Sequence, residues 1–444
     1  MVVPTAPLPG LSPVADKPLH ADFDGGRLSS DAGILALRAV EQRLGLAAHI
    51  AGCLDDPRSP LRIMHRLDEI IRFRMFMIAG GYEDGNDANW LRTDPAFKLA
   101  LERLPSGADL CSQSTISRLE NLPDARALLR IGRGMAQFYC RSFRQVPSRI
   151  VLDFDDTFDA AHGAQQLSLF NAYYDEHGFQ PIVVFDGAGR LVTAMLRPAK
   201  RPTGREAAAM MRRAVRQIRA EWPRVGILIR GDSHYCTPET LDFCRTNQVD
   251  FVFGAAPSST LRAHVAELEA STQARRPPGP AKLRRFKEFH DGAASWSRVE
   301  RIIARVEAGP EGVNTRFIAT SLRHNNGRAI YEDIYCRRGC AENHIKAFKT
   351  HLAADRTSCT RATANQFRLF LHAAAYWLLW SLRSLAPKRS RWRAMQFDTL
   401  RLRLLKLAAC VVETKRQVRL YLPSAAPSQA MLRFVLGRMP RLIS

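Results

Sequence analysis

Acidic residues at predicted strand ends are the first candidates for chemistry. Asp153 and Asp155 are two residues apart in the alternating segment RIVLDFDD, so a strand places both on one face. Asp232 follows the apolar segment GILIRG, and ligands of α/β sheets bind beside the carboxyl ends of such strands. Burying an ionised carboxylate beside apolar strands costs free energy unless the carboxylate is paired or bound to a metal. Carboxylate oxygens are hard ligands, which suit Mg²⁺ or Mn²⁺. Together they predict a metal site, whereas any single Asp also fits a strand-end cap or a surface ion pair.

A third acidic residue, Glu342, lies between basic residues in the segment YCRRGCAENHIKAFK. Helical spacing places Arg338, Glu342 and Lys349 along one face, at intervals of one and two turns. Two metal ions held by three such carboxylates activate water or a 3′ hydroxyl and stabilise the leaving oxygen of a phosphodiester. An ordinary salt bridge between Arg338 and Glu342 is the alternative, and both arrangements are compatible in the unbound protein.

The composition restricts the class of protein. The chain has 444 residues, and its formal charge is +22. Its hydrophobic residues make up 46% of the sequence, a fraction too high for a disordered protein. A length of about 150 residues per domain predicts about three folding units. The strong positive charge predicts a polyanionic partner. Residues 380–444 alone hold 14 basic and two acidic residues.

Targeting signals and cysteines point to the cytoplasm. The apolar run at 367–380 is shorter than the roughly 20 residues that span a bilayer, so no membrane association is predicted. The first 11 residues contain prolines and no basic residue, unlike a signal peptide. Nine scattered cysteines form no disulfide framework.

The elements that must position these acidic residues change character at Pro147. From Ser29 to Arg144 apolar residues recur every three or four positions, which predicts an all-helical region. After Pro147, strand and helix patterns alternate in the order of an α/β layer. The predicted elements are strands at 149–155, 180–185 and 191–196, a helix at 204–221 and a buried strand at 225–232.

Several motifs agree with one known family. The signature Tyr-x2-Arg-x3-Glu-x6-Lys is met by Tyr335, Arg338, Glu342 and Lys349. Further similar segments are DFDDT at 153–157, HGAQ at 162–165, RGD at 230–232, DRTS at 355–358 and NQFR at 365–368. The sequence thereby resembles the DDE transposases of bacterial insertion sequences, over about residues 20 to 440.

The resemblance implies that Asp155, Asp232 and Glu342 are catalytic and hold the metal, two ions of Mg²⁺ or Mn²⁺. In the family's Asp-Gly-Thr form the catalytic Asp stands two residues before Thr, which selects Asp155. Asp153 shares its strand face and is the alternative first carboxylate. Asp156 points the other way in a regular strand and ranks last.

The resemblance also implies DNA contacts. Tyr335, Arg338 and Lys349 are expected at the transposon-end phosphates, with Lys346 beside them, because Arg forms a planar fork and Lys is a point charge.

A separate segment is expected to read the DNA sequence. The short helix predicted within residues 111–120 has the outward residues of a recognition helix, namely Gln113, Ser117 and Arg118. An ordinary capped helix packed in a bundle is the alternative.

The predicted fold class is α/β, an RNase H-like mixed sheet with flanking helices, interrupted by a β-rich insertion and preceded by an all-helical domain. The predicted division is a flexible segment (1–28), a helical DNA-binding and dimerisation domain (29–146), a first core part (147–257), the insertion (258–330), a second core part with the signature helix (331–385) and a basic C-terminal region (386–444).

The predicted function is that of a DNA transposase, an endonuclease and polynucleotidyl transferase. It hydrolyses phosphodiesters at transposon ends and transfers the 3′ hydroxyl to target DNA. The expected partners are inverted-repeat end DNA, target DNA and a second copy of the chain on DNA. The expected location is the bacterial cytoplasm, at the nucleoid when DNA-bound. The alternatives are a metal-dependent nuclease without strand transfer, and a catalytically silent domesticated DNA-binding protein.

Overall fold

Residues 12–324 and 326–439 are described by a computed structural model of the chain. The predicted flexible segment at 1–28 lies outside this part over residues 1–11, as does the end of the C-terminal region over 440–444. The chain divides into two units. The helical unit comprises the chain up to Gly52, Asp56–Leu119 and the chain from Ala374 onward. The sheet unit comprises Cys53–Asp55 and Glu120–Ala373.

The first part of the chain is helical, as its periodicity predicts. Its elements are β1 (Leu28–Ser29), α1 (Ile34–Leu44), α2 (Leu46–Ala51), α3 (Leu67–Gly80), α4 (Ala88–Leu91), α5 (Pro95–Ala100), α6 (Gln113–Glu120) and α7 (Ala125–Arg141). In α1 the periodic residues Ile34, Leu37 and Val40 are buried. Gly45 ends that helix at φ 65°, a left-handed conformation that favours glycine. Helix α7 belongs to the sheet unit, although the predicted helical domain included it.

The middle of the chain forms most of the sheet unit. Its elements are β2 (Arg149–Asp156), β3 (Asp159–Ala160), β4 (Leu169–Asn171), β5 (Glu176–Phe179), β6 (Ile182–Asp186), β7 (Leu191–Met195), α8 (Gly204–Glu221), β8 (Gly226–Gly231), α9 (Pro238–Thr246), β9 (Asp250–Ala255), α10 (Ser259–Ala274), β10 (Leu283–Asp291), β11 (Glu300–Gly309) and β12 (Gly312–Thr320). The predicted helix at 204–221 has these bounds because Thr203 and Glu206 form a capping box at its start.

One mixed sheet holds eight of these strands in the order β10-β11-β12-β9-β8-β2-β6-β7. Strands β2, β8 and β9 are parallel to one another, and the remaining pairs are antiparallel. A second sheet has the order β3-β5-β4. The predicted hairpin of β6 and β7 and the predicted mixed sheet are therefore confirmed.

The expected β-rich insertion at 258–330 needs correction in two respects. Strand β12 pairs with β9, so β10, β11 and β12 extend the main sheet. The region also contains the helix α10, which was not predicted because only Leu261, Val265 and Thr272 of its 16 residues are buried. A helix with so few buried positions has a weak apolar stripe.

The last part of the chain contains the signature segment and the C-terminal region. Its elements are α11 (Gly327–Ala329), a π-helical turn (Ile330–Tyr335), a 3₁₀ turn (Cys336–Arg338), α12 (Gly339–Lys346), a second π-helical turn (Ala347–His351), α13 (Ala362–Leu385), α14 (Phe397–Leu400), β13 (Ala409–Glu413), β14 (Val418–Tyr421) and α15 (Gln429–Gly437). Strands β13 and β14 form a sheet with β1 in the helical unit. None of the helices in the described residues has the length and apolar character of a membrane span.

A buried cluster fixes the signature segment on the sheet. Leu228, Val252, Ile303 and Ile318 from four strands pack with Ile330 and Tyr331. Each fully buried aliphatic side chain stabilises the folded state by about 1.5–3 kcal/mol. The turns after Tyr331 are thereby held beside β8 and β9. The candidate acidic residues lie on the neighbouring β2 and at the carboxyl end of β8.

Candidate active site

Strand register places two of the predicted acidic residues side by side. Asp153 of β2 lies opposite Arg230 of β8 in a parallel pair. Because the strands are parallel, Asp155 and Asp232, which lie two residues later, are also side by side, at the edge of the sheet where β8 ends. Alternation puts each of them on the same face as the residue two positions before it.

Asp153 is held in a closed ion pair inside the protein. Arg230 donates from Nε to Oδ1 at 2.6 Å and from Nη2 to Oδ2 at 2.7 Å, and both side chains are buried. Burial is the largest influence on Asp153 and raises its pKa, which the hydrogen bonds from Arg230 oppose. Arg230 also donates to the carbonyl of Ile334 at 2.6 Å. The pair therefore joins two strands to the signature segment.

Asp155 forms a more open ion pair at the edge of the sheet. Its Oδ2 lies 2.9 Å from Nη2 of Arg338, and each side chain is 14% exposed. Burial raises the pKa of Asp155 to about 7; the Arg338 charge opposes this rise, and the negative charges of Asp232 and Asp156 add to it. Arg338 thus partly neutralises a cluster of carboxylates.

Asp232 starts the turn that follows β8. Its Oδ1 accepts a hydrogen bond from the backbone N–H of His234 at 2.9 Å, and its Oδ2 lies 3.6 Å from the His234 ring. The side chain is partly exposed. Asp232 is therefore a partly exposed carboxylate at the end of a parallel strand, which is where ligands of α/β sheets bind.

Tyr335 packs against a glycine that the sequence analysis missed. Any side chain at Gly254 of β9 would place its Cβ only 2.8 Å from the Tyr335 hydroxyl oxygen and 2.9 Å from the backbone nitrogen of Ser233. Only a residue without a side chain leaves room for Tyr335 beside the Asp232 turn. The available signal was a glycine inside an apolar strand, which often marks a close approach.

Lys349 contacts the chain that leaves β2. Its Nζ donates to the carbonyl of Phe158 and lies 3.5 Å from Thr157 Oγ1 and 3.6 Å from Asp159 Oδ1. Burial raises the pKa of Asp159 to about 8, which the Lys349 charge opposes and the Asp355 charge reinforces. Arg338 and Lys349 therefore both reach residues 155–159 from the signature segment.

Glu342 and Lys346 lie on α12, between those two contacts, and both are exposed. Across residues 12–324 and 326–439, no group of three or more acidic, histidine or cysteine side chains is arranged to hold a metal ion. The structure thus brings Asp155, Asp232, Arg338 and Tyr335 together. It leaves Glu342 one turn after Arg338 and outside any such group.

Asp156 contacts two other side chains, Tyr235 and Gln180. Its Oδ1 lies 3.4 Å from the hydroxyl of Tyr235, and its Oδ2 accepts from Gln180. Tyr235 is fully buried, and the charges of Asp156, Asp155 and Asp232 add to the burial that raises its pKa. Tyr235 was not predicted, because a single tyrosine after GDSH carries no spacing signal.

Three of the motif segments bond to one another. Gln165 donates to the carbonyl of Thr357 at 2.8 Å and accepts from Asn365 Nδ2 at 2.9 Å. The same Asn365 amide donates to the carbonyl of Cys359 at 2.8 Å and accepts from its N–H at 3.0 Å. The HGAQ, DRTS and NQFR segments are therefore joined by one set of hydrogen bonds.

The predicted recognition residues lie on α6. Ile116 and Leu119 are buried, and Ser117 and Arg118 are exposed. The backbone N–H of Gln113 donates to Asn89 Oδ1 at 3.1 Å. The helix is therefore amphipathic, and its role in reading DNA stays a prediction.

A separate cavity of about 600 Å³ lies between α7, α8 and β7. Its walls are mostly apolar, including Leu128, Ala136, Met195, Met210 and Phe370. Asp155, Asp232 and Glu342 are not among its lining residues.

Comparison with known proteins identifies a family for this chain. The family model described as Transposase DDE domain group 1 matches residues 11–444. No curated protein matches the chain. A cryo-EM structure of a piggyBac transposase synaptic complex with hairpin DNA aligns at a TM-score of 0.39 and 12% identity, over 94% of this chain and 87% of that one. The match of the family model over nearly the whole chain shows that the protein belongs to the DDE transposase family, domain group 1.

Proposed function

We propose that the chain is an active DNA transposase that hydrolyses phosphodiesters at transposon ends and transfers the 3′ hydroxyl to target DNA. One observation carries this proposal: Asp155 and Asp232 are level at the edge of parallel strands, with Arg338 beside Asp155 and Tyr335 beside the Asp232 turn. We also propose that β7-β6-β2-β8-β9 is the RNase H-like part of the sheet.

The acidic residues fit a hard divalent cation. Asp155 and Asp232 supply carboxylate oxygens, which are the donors that Mg²⁺ and Mn²⁺ take. Glu342 has to turn toward them from α12 to complete the set. Bound by these three residues, one or two such ions would activate water or a 3′ hydroxyl for attack on phosphorus. Asp153 is the weaker choice, because the fork of Arg230 already occupies both of its oxygens.

The basic residues of the signature then position the DNA. Arg338 exchanges Asp155 for a phosphate of the transposon end, which its planar fork holds through two hydrogen bonds. Lys349 and Lys346 add point charges along the same segment, and Tyr335 braces it against β9. Gln113, Ser117 and Arg118 supply contacts that read the end sequence.

The proposed partners follow from the chemistry of the reaction. Two inverted-repeat ends and a target duplex take part, so two copies of the chain are expected on the DNA. In a bacterial cell this places the protein in the cytoplasm, at the nucleoid.

The test is a cleavage and joining assay on DNA that carries the sequences flanking the gene. We expect wild-type protein to nick this DNA in Mg²⁺ or Mn²⁺ and to join precut ends to a plasmid. Asp155→Asn, Asp232→Asn and Glu342→Gln should each abolish both steps but keep DNA binding, because removing a negative charge does not weaken attraction to phosphate. Nicking without joining would indicate a nuclease, and binding without nicking would indicate a silent DNA-binding protein.

A further inference from the structure

A hairpin next to the candidate site exposes two adjacent tyrosine rings. It consists of β4, β5 and the turn between them, and it begins shortly after β2 ends. Tyr173 is 87% exposed and Tyr174 49%, and the two rings contact each other. Phe170, which is 52% exposed, lies on the opposite face with His177. Exposed large apolar side chains that cluster in this way mark interaction sites on soluble proteins. Neither the metal chemistry nor the phosphate contacts proposed above use these rings.

The rings are held in fixed positions. The ring of Tyr174 stacks on Phe158 with the centroids 4.3 Å apart and the planes 13° apart. Tyr173 stands edge-on to Tyr174 at 4.9 Å. Phe158 lies directly over Gly178, where a Cβ would lie 2.8 Å from two of its ring carbons. Ordered aromatic side chains lose little conformational entropy when a flat ligand binds, which suits a stacking surface.

The hairpin is close to the candidate catalytic carboxylates. Phe158 is three residues beyond Asp155, and its carbonyl accepts the hydrogen bond from Lys349. The negative charge of Asp156 contributes to the raised pKa of Tyr174, after burial and Tyr173. A DNA strand at Asp155 and Lys349 therefore has the aromatic rings within reach of its neighbouring nucleotides.

The hairpin carries acidic residues, and basic residues lie next to it. Asp175 and Glu176 are exposed in the turn and at the start of β5, and they repel phosphate. The side chain of Asn171 donates to the carbonyl of Ala199 at 3.1 Å, which holds the exposed Lys200 and Arg201 next to the hairpin. The hairpin itself therefore suits neutral flat groups, while cations flank it.

We propose that Tyr173 and Tyr174 form a stacking surface for unpaired nucleobases of the DNA strand that lies at Asp155 and Lys349. The inference rests on the proposed function, because it takes single-stranded DNA next to the cleaved bond as its ligand. Paired bases keep their faces covered by their neighbours, so free rings select bases that have left the duplex. Proteins that bind single strands combine aromatic rings with flanking cations in the same way.

The test compares two single strands that differ only in their bases. The probes are a fluorescein-labelled strand of about 20 thymidines and an abasic strand with the same number of phosphates, long enough to cross one binding groove. Affinity is measured by anisotropy with the full chain in EDTA, so that no cleavage occurs. We expect wild type to bind the thymidine strand at least about 10-fold more tightly than the abasic one.

Variants assign this preference to the rings. Tyr173→Ala alone should reduce the preference several-fold, and the Tyr173→Ala/Tyr174→Ala double variant should nearly abolish it, with the salt dependence unchanged because no phosphate contact is lost. Replacing both tyrosines by Phe should keep the preference. Leu169→Ala is the matched control, because it removes an exposed apolar side chain of the same hairpin without removing a ring. Thermal melting checks that each variant is folded.

Three results would overturn the inference. These are equal binding of both strands by wild type, a preference that survives in the folded double variant, or a double variant that changes only the sedimentation of the protein. The last result would make the hairpin an interface between copies of the chain. Failure here is distinct from failure of the proposed function, because base preference is measured without metal and nicking is measured separately.

Discussion

Two ion pairs on one strand face differ in what surrounds them. Asp153 and Arg230 are both buried, share two hydrogen bonds and gain a third through the Ile334 carbonyl. Asp155 and Arg338 share a single contact of 2.9 Å at the edge of the sheet, next to Asp232. The residue types are the same in both pairs, and the acidic residues are two positions apart.

The difference lies in where each arginine originates. Arg230 comes from the neighbouring strand and is fixed in register with Asp153, so its pairing cannot change without disturbing the sheet. Arg338 comes from a 3₁₀ turn between two helical segments, which can readjust without breaking a β ladder. We therefore interpret the first pair as a structural brace and the second as an exchangeable contact at the reaction site.

The largest expected effect separates the two acidic residues by activity. Asp155→Asn should reduce cleavage of end DNA by about three orders of magnitude or more, since the loss of the proposed metal ligand would remove several kcal/mol of charge stabilisation from the transition state. Its thermal stability should stay near that of wild type. The measurement is a time course of nicking in Mg²⁺ and in Mn²⁺, together with a melting curve.

The same assay on Asp153→Asn provides the contrast. A folded Asp153→Asn protein without activity, alongside an active Asp155→Asn protein, would reverse our assignment of the first catalytic carboxylate.

A second prediction concerns stability at the buried pair. Asp153→Asn leaves Arg230 as a buried charge without its carboxylate, which should lower the free energy of unfolding by about 3–5 kcal/mol. Replacing both partners, as in Asp153→Leu with Arg230→Met, should recover much of this loss because no charge stays buried. Urea unfolding of the three proteins measures the difference. A single variant as stable as wild type would contradict the role of a brace.

Sequence reasoning identified both acidic residues and chose Asp155 over Asp153 only through the spacing of the family motif. The alternation of β2 predicts that Asp153 and Asp155 share a face, and the register with β8 was needed to show which of them meets Arg230. Gly254 and Tyr235 were missed for a related reason. Their importance comes from the strand beside them and the turn above them, which are distant in sequence.

The same limit applies to the fold. The capped helix α8 and the β6–β7 hairpin could be predicted with nearly correct bounds, because local signals define their ends. The pairing of β12 with β9, and of β13 with β1 across more than 300 residues, leaves no local signal. Strands with many charged residues, such as β10, also lack the alternation of apolar and polar residues that would predict which face is buried.

A third prediction uses the next carboxylate along the chain, Asp159. Its folded pKa of about 8 is above its ordinary value of 3.8, so the folded state holds the proton more tightly than the unfolded state. Ionising Asp159 therefore costs stability, and the cost grows as pH rises from about 4 to about 8. Asp159→Asn removes this cost. The variant should gain up to about 4 kcal/mol relative to wild type between about pH 5 and pH 8.

The measurement is urea unfolding of both proteins across that pH range. Other buried carboxyl groups, such as Glu41 with a pKa of about 7, titrate in both proteins and cancel in the difference. A difference that stays constant with pH would mean that Asp159 is ionised throughout and paired with Lys349. That result would make the Lys349 contact a true salt bridge and bring it closer to the Arg230 pair in character.

The smallest expected effects come from exchanging each arginine for lysine, which keeps the charge and removes the planar fork. Arg230→Lys cannot form both bonds to Asp153 together with the bond to Ile334, so it should lower the free energy of unfolding by about 1–2 kcal/mol and leave DNA affinity unchanged. Arg338→Lys loses only one contact to Asp155 and should change stability by less than about 0.5 kcal/mol. Its affinity for end DNA should nevertheless fall about 5- to 10-fold at constant salt dependence, because a lysine still neutralises the phosphate but no longer holds it through two bonds. Anisotropy with flanking-sequence duplexes at several salt concentrations measures this change. If Arg338→Lys instead behaves like Arg230→Lys, losing stability and keeping affinity, then Arg338 is a second brace and the phosphate must be held elsewhere.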